Sequence, residues 1–221
     1  MPKFWANFED YSLKDSSRNS VGGSAILPKD CTVPACRRCN SKMFLFIQFD
    51  IQGAWQTAGK DRSHFVLFMC PKCNEIPSFD ELSDGKLPEK FWEVSTEGHF
   101  FTALFAPDQV EQVLAQDPIL VAQKLRFEST SESGYIPDRI CVGGKPVWLQ
   151  SPEEFTCSCG SKLEFISQIS ENLGFEKQTD APSQPDSFSA NEYCLFLGNE
   201  VYIFACPRQC DPRSVWITVQ G

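Results

Sequence analysis

The chain has 221 residues, of which 42 % are hydrophobic and 22 % charged, with 11 cysteines, 19 phenylalanines and a net charge of −9. That length buries an adequate core without covalent staples, and it accommodates one large domain or two small ones. The acidic balance disfavours direct contact with nucleic acid or anionic membrane and suits a basic partner.

The opening residues, MPKFWANFEDYSLKD, contain no apolar core of a secretory leader. No apolar run approaches the roughly 18 residues of a membrane span. The expectation is a cytoplasmic protein, where cysteines serve as metal ligands or buried thiols rather than disulfides. An odd cysteine count also argues against a closed disulfide framework.

From residue 22 onward the chain states a pattern twice. Gly22-Gly23 is followed by CRRCNSKMFLFIQFD (36–50) and HFVLFMCPKC (64–73). Gly143-Gly144 is followed by CSCGSKLEFISQIS (157–170) and EVYIFACPRQC (200–210). An offset of 120 sets Cys39 on Cys159, Ser41 on Ser161 and Gln48 on Gln168. The order Gly-Gly, cysteine pair, strand with Gln, strand, cysteine pair implies an internal duplication. The expected organisation is one pseudo-symmetric domain spanning 1–221, with half one at about 20–135 and half two at about 136–221. The expected class is α+β, with mainly antiparallel sheets, a few short helices and cysteine-rich turns.

In chain order, FLFIQFD and HFVLFM read as strands joined by the loop GAWQTAGKDRS. GHFFTALFA (98–106) reads as a further strand. Asp108 with Glu111 resembles a capping box, and Val110, Val113 and Leu114 follow at helical spacing. Asp117-Pro118 restarts a second short helix, and Ser151-Pro152-Glu153-Glu154 starts a third. Polar, proline-bearing residues 176–190 predict a flexible loop. YCLFL and EVYIFAC flank Gly198-Asn199, a two-residue hairpin signal. Gln48 and Gln168, at matching strand ends, are expected to bond backbone edge-on and stitch the two halves together.

Zinc favours four thiolates in a tetrahedron, and two close pairs on separate turns supply them. Cys36, Cys39, Cys70 and Cys73 form one such set. Cys157, Cys159, Cys206 and Cys210 form a second with less usual spacing, so one or two structural zinc ions are expected. Asn40 and Gly160 both tolerate the positive φ of a tight turn. Cys31, Cys141 and Cys194 fall outside the pairs. A redox reading of Cys36–Cys39 is weaker, because a strand rather than a helix follows it. A four-thiolate zinc has no open coordination position, and His64 and His99 read as structural, so no catalytic residue is assigned.

Two acidic stretches stand out. Residues 75–100 hold seven acids and two bases, and residues 171–200 hold six acids and one base. Asp80, Glu81, Asp84, Glu171, Asp180 and Asp186 are the candidate partner-binding residues.

GGSAILPKDCTVPACRRCNSKMFLFIQFD and GGKPVWLQ…CSCGSKLEFISQI resemble the two repeats of the YwqG-like bacterial domain family. They are similar, more distantly, to the C-terminal domain of the eukaryotic programmed-cell-death-protein-two family. The resemblance runs from about residue 20 to the end and implies protein binding rather than catalysis. The bacterial members resemble immunity proteins of polymorphic toxin systems. The expected function is therefore to neutralise a basic toxin domain, such as a nuclease. The alternatives are a chaperone for a basic ribosomal-type protein and a small thiol-dependent enzyme.

Overall fold

A computed structural model describes the chain except residues 1, 11–16, 78–84, 95–97, 115–118, 132–133 and 135–136, and the side chains of 110–112. Fourteen strands are present among the described residues: β1 (Lys3–Asp10), β2 (Ser20–Val21), β3 (Ala25–Pro28), β4 (Phe44–Asp50), β5 (His64–Met69), β6 (Phe100–Phe105), β7 (Val110–Leu114), β8 (Gln123–Thr130), β9 (Ile140–Gly143), β10 (Glu164–Ile169), β11 (Phe175–Glu176), β12 (Glu192–Tyr193), β13 (Glu200–Ala205) and β14 (Val215–Gln220). The one α-helix described, α1, is the four-residue Phe91–Val94. The α+β expectation is therefore wrong. The protein is nearly all β: of the segments expected to be helical, Val110–Leu114 is a strand paired with β3 and 151–154 is not helical.

Ten strands make one antiparallel sheet in the order β14-β13-β10-β9-β1-β8-β2-β4-β5-β6. Its two ends approach each other, and Leu104 N–H on β6 donates to the Pro212 carbonyl just before β14 at 2.7 Å. The sheet is thus a nearly closed barrel. Two bulges help to curl it, one between Leu45 and Ile47 on β4 and one between Phe165 and Ser167 on β10. They lie at the same offset that relates the cysteines of the two halves.

The strand order reads alike from either end. β2-β4-β5-β6 on one side answers β9-β10-β13-β14 on the other, with β1 and β8 paired at the middle from Lys3↔Thr130 to Asp10↔Gln123. The middle strands are exchanged. β1 precedes half one in sequence but pairs with β9, whereas β8 precedes β9 in sequence but pairs with β2. The four glycines Gly22, Gly23, Gly143 and Gly144 all adopt positive φ, from 61° to 80°, which a side chain would resist.

The barrel interior is one apolar cluster with Phe46, Phe49, Phe65, Trp55 and Tyr193 fully buried. Two smaller clusters lie apart from it, one with Cys36 and Cys70 and one with Cys157 and Cys206. The hairpin connections cross between halves. Trp55, from the β4–β5 connection, packs on Gly143, and Thr57 Oγ1 donates to the Phe165 carbonyl. In return the long β10–β13 connection sends Phe175 against Phe46 at 4.9 Å and Tyr193 against Phe44 at 5.4 Å. Asn74 ties that connection down, donating to the Pro185 carbonyl and accepting from Leu197 N–H. Residues 176–190 are therefore not a free loop. Gln184 is buried and bonds both backbone groups of Cys194, and Tyr193 donates to the Pro182 carbonyl.

Several local expectations change. The Asp108–Leu114 capping box is not helical: Val110–Leu114 pairs instead with the open edge of β3, Ala25↔Leu114 to Pro28↔Val110. A valine-bearing segment facing an unpaired edge is better satisfied as a strand. Asp117-Pro118 lies outside the described residues. Ser151–Glu154 is not helical, because Glu153 accepts from Thr218 and Gln220 on β14 instead of capping a turn. Gly198-Asn199 closes no hairpin: β13 pairs with β10 and β14, while β12 pairs with β11. The chain passes from β12 to β13 through a 3-10 turn at Phe196–Gly198.

The two glutamines do bond backbone, but each within its own half. Gln48 Oε1 accepts from Ile26 N–H, and its amide donates to the Ser17 and Ser24 carbonyls. Gln168 Oε1 accepts from Val147 N–H, and its amide donates to the Val147 carbonyl and to buried Glu200. Each fixes the segment after its Gly-Gly turn against the sheet. His64 and Glu200, at matching starts of β5 and β13, are both fully buried. His64 bonds Asp50 at 2.8 Å, and Glu200 receives Gln168 and the Glu171 N–H. Arg37 and Arg213 donate to the carbonyls of Trp92 and Glu93, which pins α1 beside the seam between β6 and β14.

Replacing Gln48 or Gln168 by Leu keeps the volume but strands buried backbone groups. Each variant is expected to lose about 3 kcal/mol of stability in chemical denaturation, against little change for an exposed site such as Gln56→Leu.

Candidate metal centres

Two groups of four cysteines gather their sulfurs: Cys36, Cys39, Cys70 and Cys73, and Cys157, Cys159, Cys206 and Cys210. In each group all Sγ atoms lie within 4.8 Å of one another. All eight of the predicted ligands are thus brought together in the predicted sets of four. The sulfurs pair in the same way in both. Cys36–Cys73 are 4.0 Å apart and Cys39–Cys70 3.4 Å, while Cys157–Cys210 and Cys159–Cys206 are each 3.5 Å. A disulfide needs about 2.05 Å. A tetrahedral zinc with Zn–S near 2.3 Å sets sulfurs about 3.8 Å apart. The observed separations bracket the second value.

Local backbone explains why the ligands converge. In the first turn Cys36 N–H donates to Ser41 O, and Asn40, with φ 57°, returns its N–H to Cys36 O. In the second, Cys157 N–H donates to Ser161 O and Gly160, with φ 85°, returns to Cys157 O. The opposite turns follow β5 and β13, and Pro71 and Pro207 open them. Half two has one residue fewer between Cys157 and Cys159 and one more between Cys206 and Cys210. Gln209 absorbs the insertion at φ 43°, donating to Cys206 O.

The electrostatics fit a cation. The side chain and backbone of Ser41 draw the Cys39 thiol down to about 6, and Ser161 does the same for Cys159. Burial pushes Cys73 up to about 11 and Cys157 up to about 12, and it raises Cys70 and Cys206 as well. Four thiolates so close repel one another and resist joint ionisation. A divalent ion among them reverses that preference. The donor set is all sulfur and closed, which suits zinc and leaves no position for water.

Ser41 and Ser161 were visible in the aligned sequence but carried no assigned role. Their signal was the offset itself, a hydroxyl two residues after a ligand in both halves. Of the remaining cysteines, Cys141 and Cys194 are buried and Cys31 is half-buried against the first cluster. His64 and His99 are both fully buried.

Of the acidic candidates, Asp80, Glu81 and Asp84 lie outside the described residues. Glu171 is half-buried, and Asp180 and Asp186 are exposed on the β10–β13 connection. Among the described residues no helix is long and apolar enough to cross a membrane. No protein-family model matches the chain, and no curated protein matches it either.

Cys70→Ser should remove a metal equivalent and cost at least about 3 kcal/mol, whereas Cys31→Ser should stay within about 1 kcal/mol of the parent. Thermal denaturation of the two variants side by side checks this.

Proposed function

We propose that this is a non-catalytic protein-binding protein, braced by two structural zinc ions, whose partner is a basic toxin domain of nuclease type. The observation that carries the non-catalytic reading is the closure of both four-cysteine sets, which gives each ion four protein ligands and no place for a substrate. The other thiols speak against a thiol enzyme, since burial pushes Cys141 up to about 12 and raises Cys194.

The partner's charge follows from the net charge of −9 and from where acids meet exposed apolar side chains. Phe188 is 50 % exposed and Leu197 38 %, both beside Gly198 on the β10–β13 connection, with Asp186 two residues before Phe188. Ile76, 45 % exposed, extends this surface from the turn that Asn74 fastens to Pro185 and Leu197. Apolar anchors within an acidic field suit a basic protein face that otherwise grips phosphate. The toxin as partner is what the resemblance to YwqG-like immunity proteins adds.

The test is affinity capture from the native cell, followed by association kinetics of the captured partner on a triple variant, Glu171→Lys, Asp180→Lys and Asp186→Lys. A basic toxin domain whose on-rate falls at least about tenfold on the variant is the expected result. Unchanged association would remove this face from the interface. Capture of a ribosomal-type protein would replace the toxin by a chaperone client.

A further inference from the structure

The two halves differ in one respect that their shared geometry makes legible. After Gly22-Gly23 the chain runs extended as β3, with Ile26 N–H held by Gln48. Ile26 therefore spends its backbone on the sheet side. Its neighbours Ala25 and Leu27 turn theirs the other way, and β7 pairs there, Ala25↔Leu114 and Leu27↔Gln112. Leu27 is 2 % exposed, its side chain packed in the first small cluster, against which Leu114 of β7 also packs.

After Gly143-Gly144 the same arrangement begins. Val147 N–H is held by Gln168, the Val147 carbonyl accepts from Gln168 and from the Tyr202 hydroxyl, and that hydroxyl also accepts from Leu149 N–H. Val147 and Leu149 spend their backbone on the sheet side, so Pro146 and Trp148 direct theirs outward, as Ala25 and Leu27 do. No strand answers them: among the described residues the segment has no β7 of its own. A groove of about 600 Å³ runs here instead. Trp148, Phe155, Phe165 and Phe204 line it with apolar surface, and Gln56 and Thr57 from the other half complete it. Trp148 stacks on Phe204 at 5.8 Å and stays half-exposed where Leu27 is covered.

We propose that this groove binds an extended segment of a partner protein, added antiparallel to residues 145–149 in the place that β7 takes on β3. The edge offers the Pro146 carbonyl and both backbone groups of Trp148, enough for about three ladder hydrogen bonds. The bound segment carries an apolar side chain onto the Trp148–Phe204 surface, as Leu114 packs on the first cluster beside Ala25. Glu153, Glu154 and Glu164 outnumber Lys145 and Lys162 around the groove, and Lys162 is already paired with Glu154 at 2.5 Å. That surplus favours a segment with a basic flank. The proposal rests on the protein-binding reading only in that the segment belongs to a protein, and it does not use the acidic face of the β10–β13 connection.

The probe is a synthetic library of nine-residue peptides with alternating apolar positions and one flanking lysine, screened against the zinc-loaded chain. The best binder is then remade with single N-methyl groups along its backbone. Strand addition requires parity: methylation at alternate positions weakens binding at least about tenfold, and methylation between them does little. Trp148→Ala should abolish binding with a lowered melting temperature, since its ring packs on Tyr202 and Phe204. Gln56→Trp, a variant that leaves the floor intact, should abolish binding at unchanged melting temperature. No binder in the library, binding without parity, or binding indifferent to both variants would each overturn the proposal. Self-association of the chain abolished by Gln56→Trp would give the edge to a second copy and overturn it too. A captured full-length partner that binds Trp148→Ala and Gln56→Trp as it binds the parent would sink the groove while leaving the protein-binding reading intact.

Discussion

The constraint on which the rest depends is the crowding of sulfur at the ends of two hairpins. Each half closes β4 against β5, or β10 against β13, with four thiols within 4.8 Å at the open end. Without a cation, burial raises the thiols of Cys70, Cys73, Cys157 and Cys206, and the two turns of each set are joined by no shared ligand, each keeping only its own backbone hydrogen bonds. With one, each hairpin is clamped at the end opposite its connection, and the small cluster around it is completed.

The clamped hairpins become one molecule by exchange. β1 and β8 each pair with the half they do not adjoin in sequence, and each hairpin connection packs into the opposite half through Trp55 or through Phe175 and Tyr193. Such cross-pairing ties each half to a strand that adjoins the other half in sequence. It also frees the halves to diverge at the periphery. Half one covers its β3 edge with β7, and half two leaves the matching edge beside an aromatic groove. Half two lengthens its hairpin connection into the acidic segment 170–199, while half one keeps the short Trp55 loop. The differences fall on the surfaces proposed as partner-binding.

What could be read in the sequence was what is local or repeated. The cysteine sets were legible because a metal turn writes its ligands a few residues apart and the duplication wrote them twice, so even the irregular spacing at Cys157 and Cys210 could be placed. Gln48 and Gln168 were legible as a matched pair, but which backbone they bind depends on where the chain goes after a Gly-Gly turn, and that was not. β7 was misread because Val110, Val113 and Leu114 suit either period, and only the open edge of β3 decides between them. The hairpin at Gly198-Asn199 failed for the same reason. A turn does form there, but at Leu197 and Gly198, with φ 61° and 79°, while Asn199 is extended at φ −71°, and the strand that pairs with β13 is β10, on the far side of the long connection. β1 and β8 gave no signal of their exchange, which is a property of the closed sheet.

The most direct test is the metal content of the chain as isolated, by native mass spectrometry, with the melting temperature followed as metal is withdrawn by a chelator. Two zinc ions per chain, lost together with cooperative structure, is the result expected of two closed four-thiolate clamps. A metal-free chain that melts at the same temperature would contradict it, and with it the view that the thiols hold the hairpins shut.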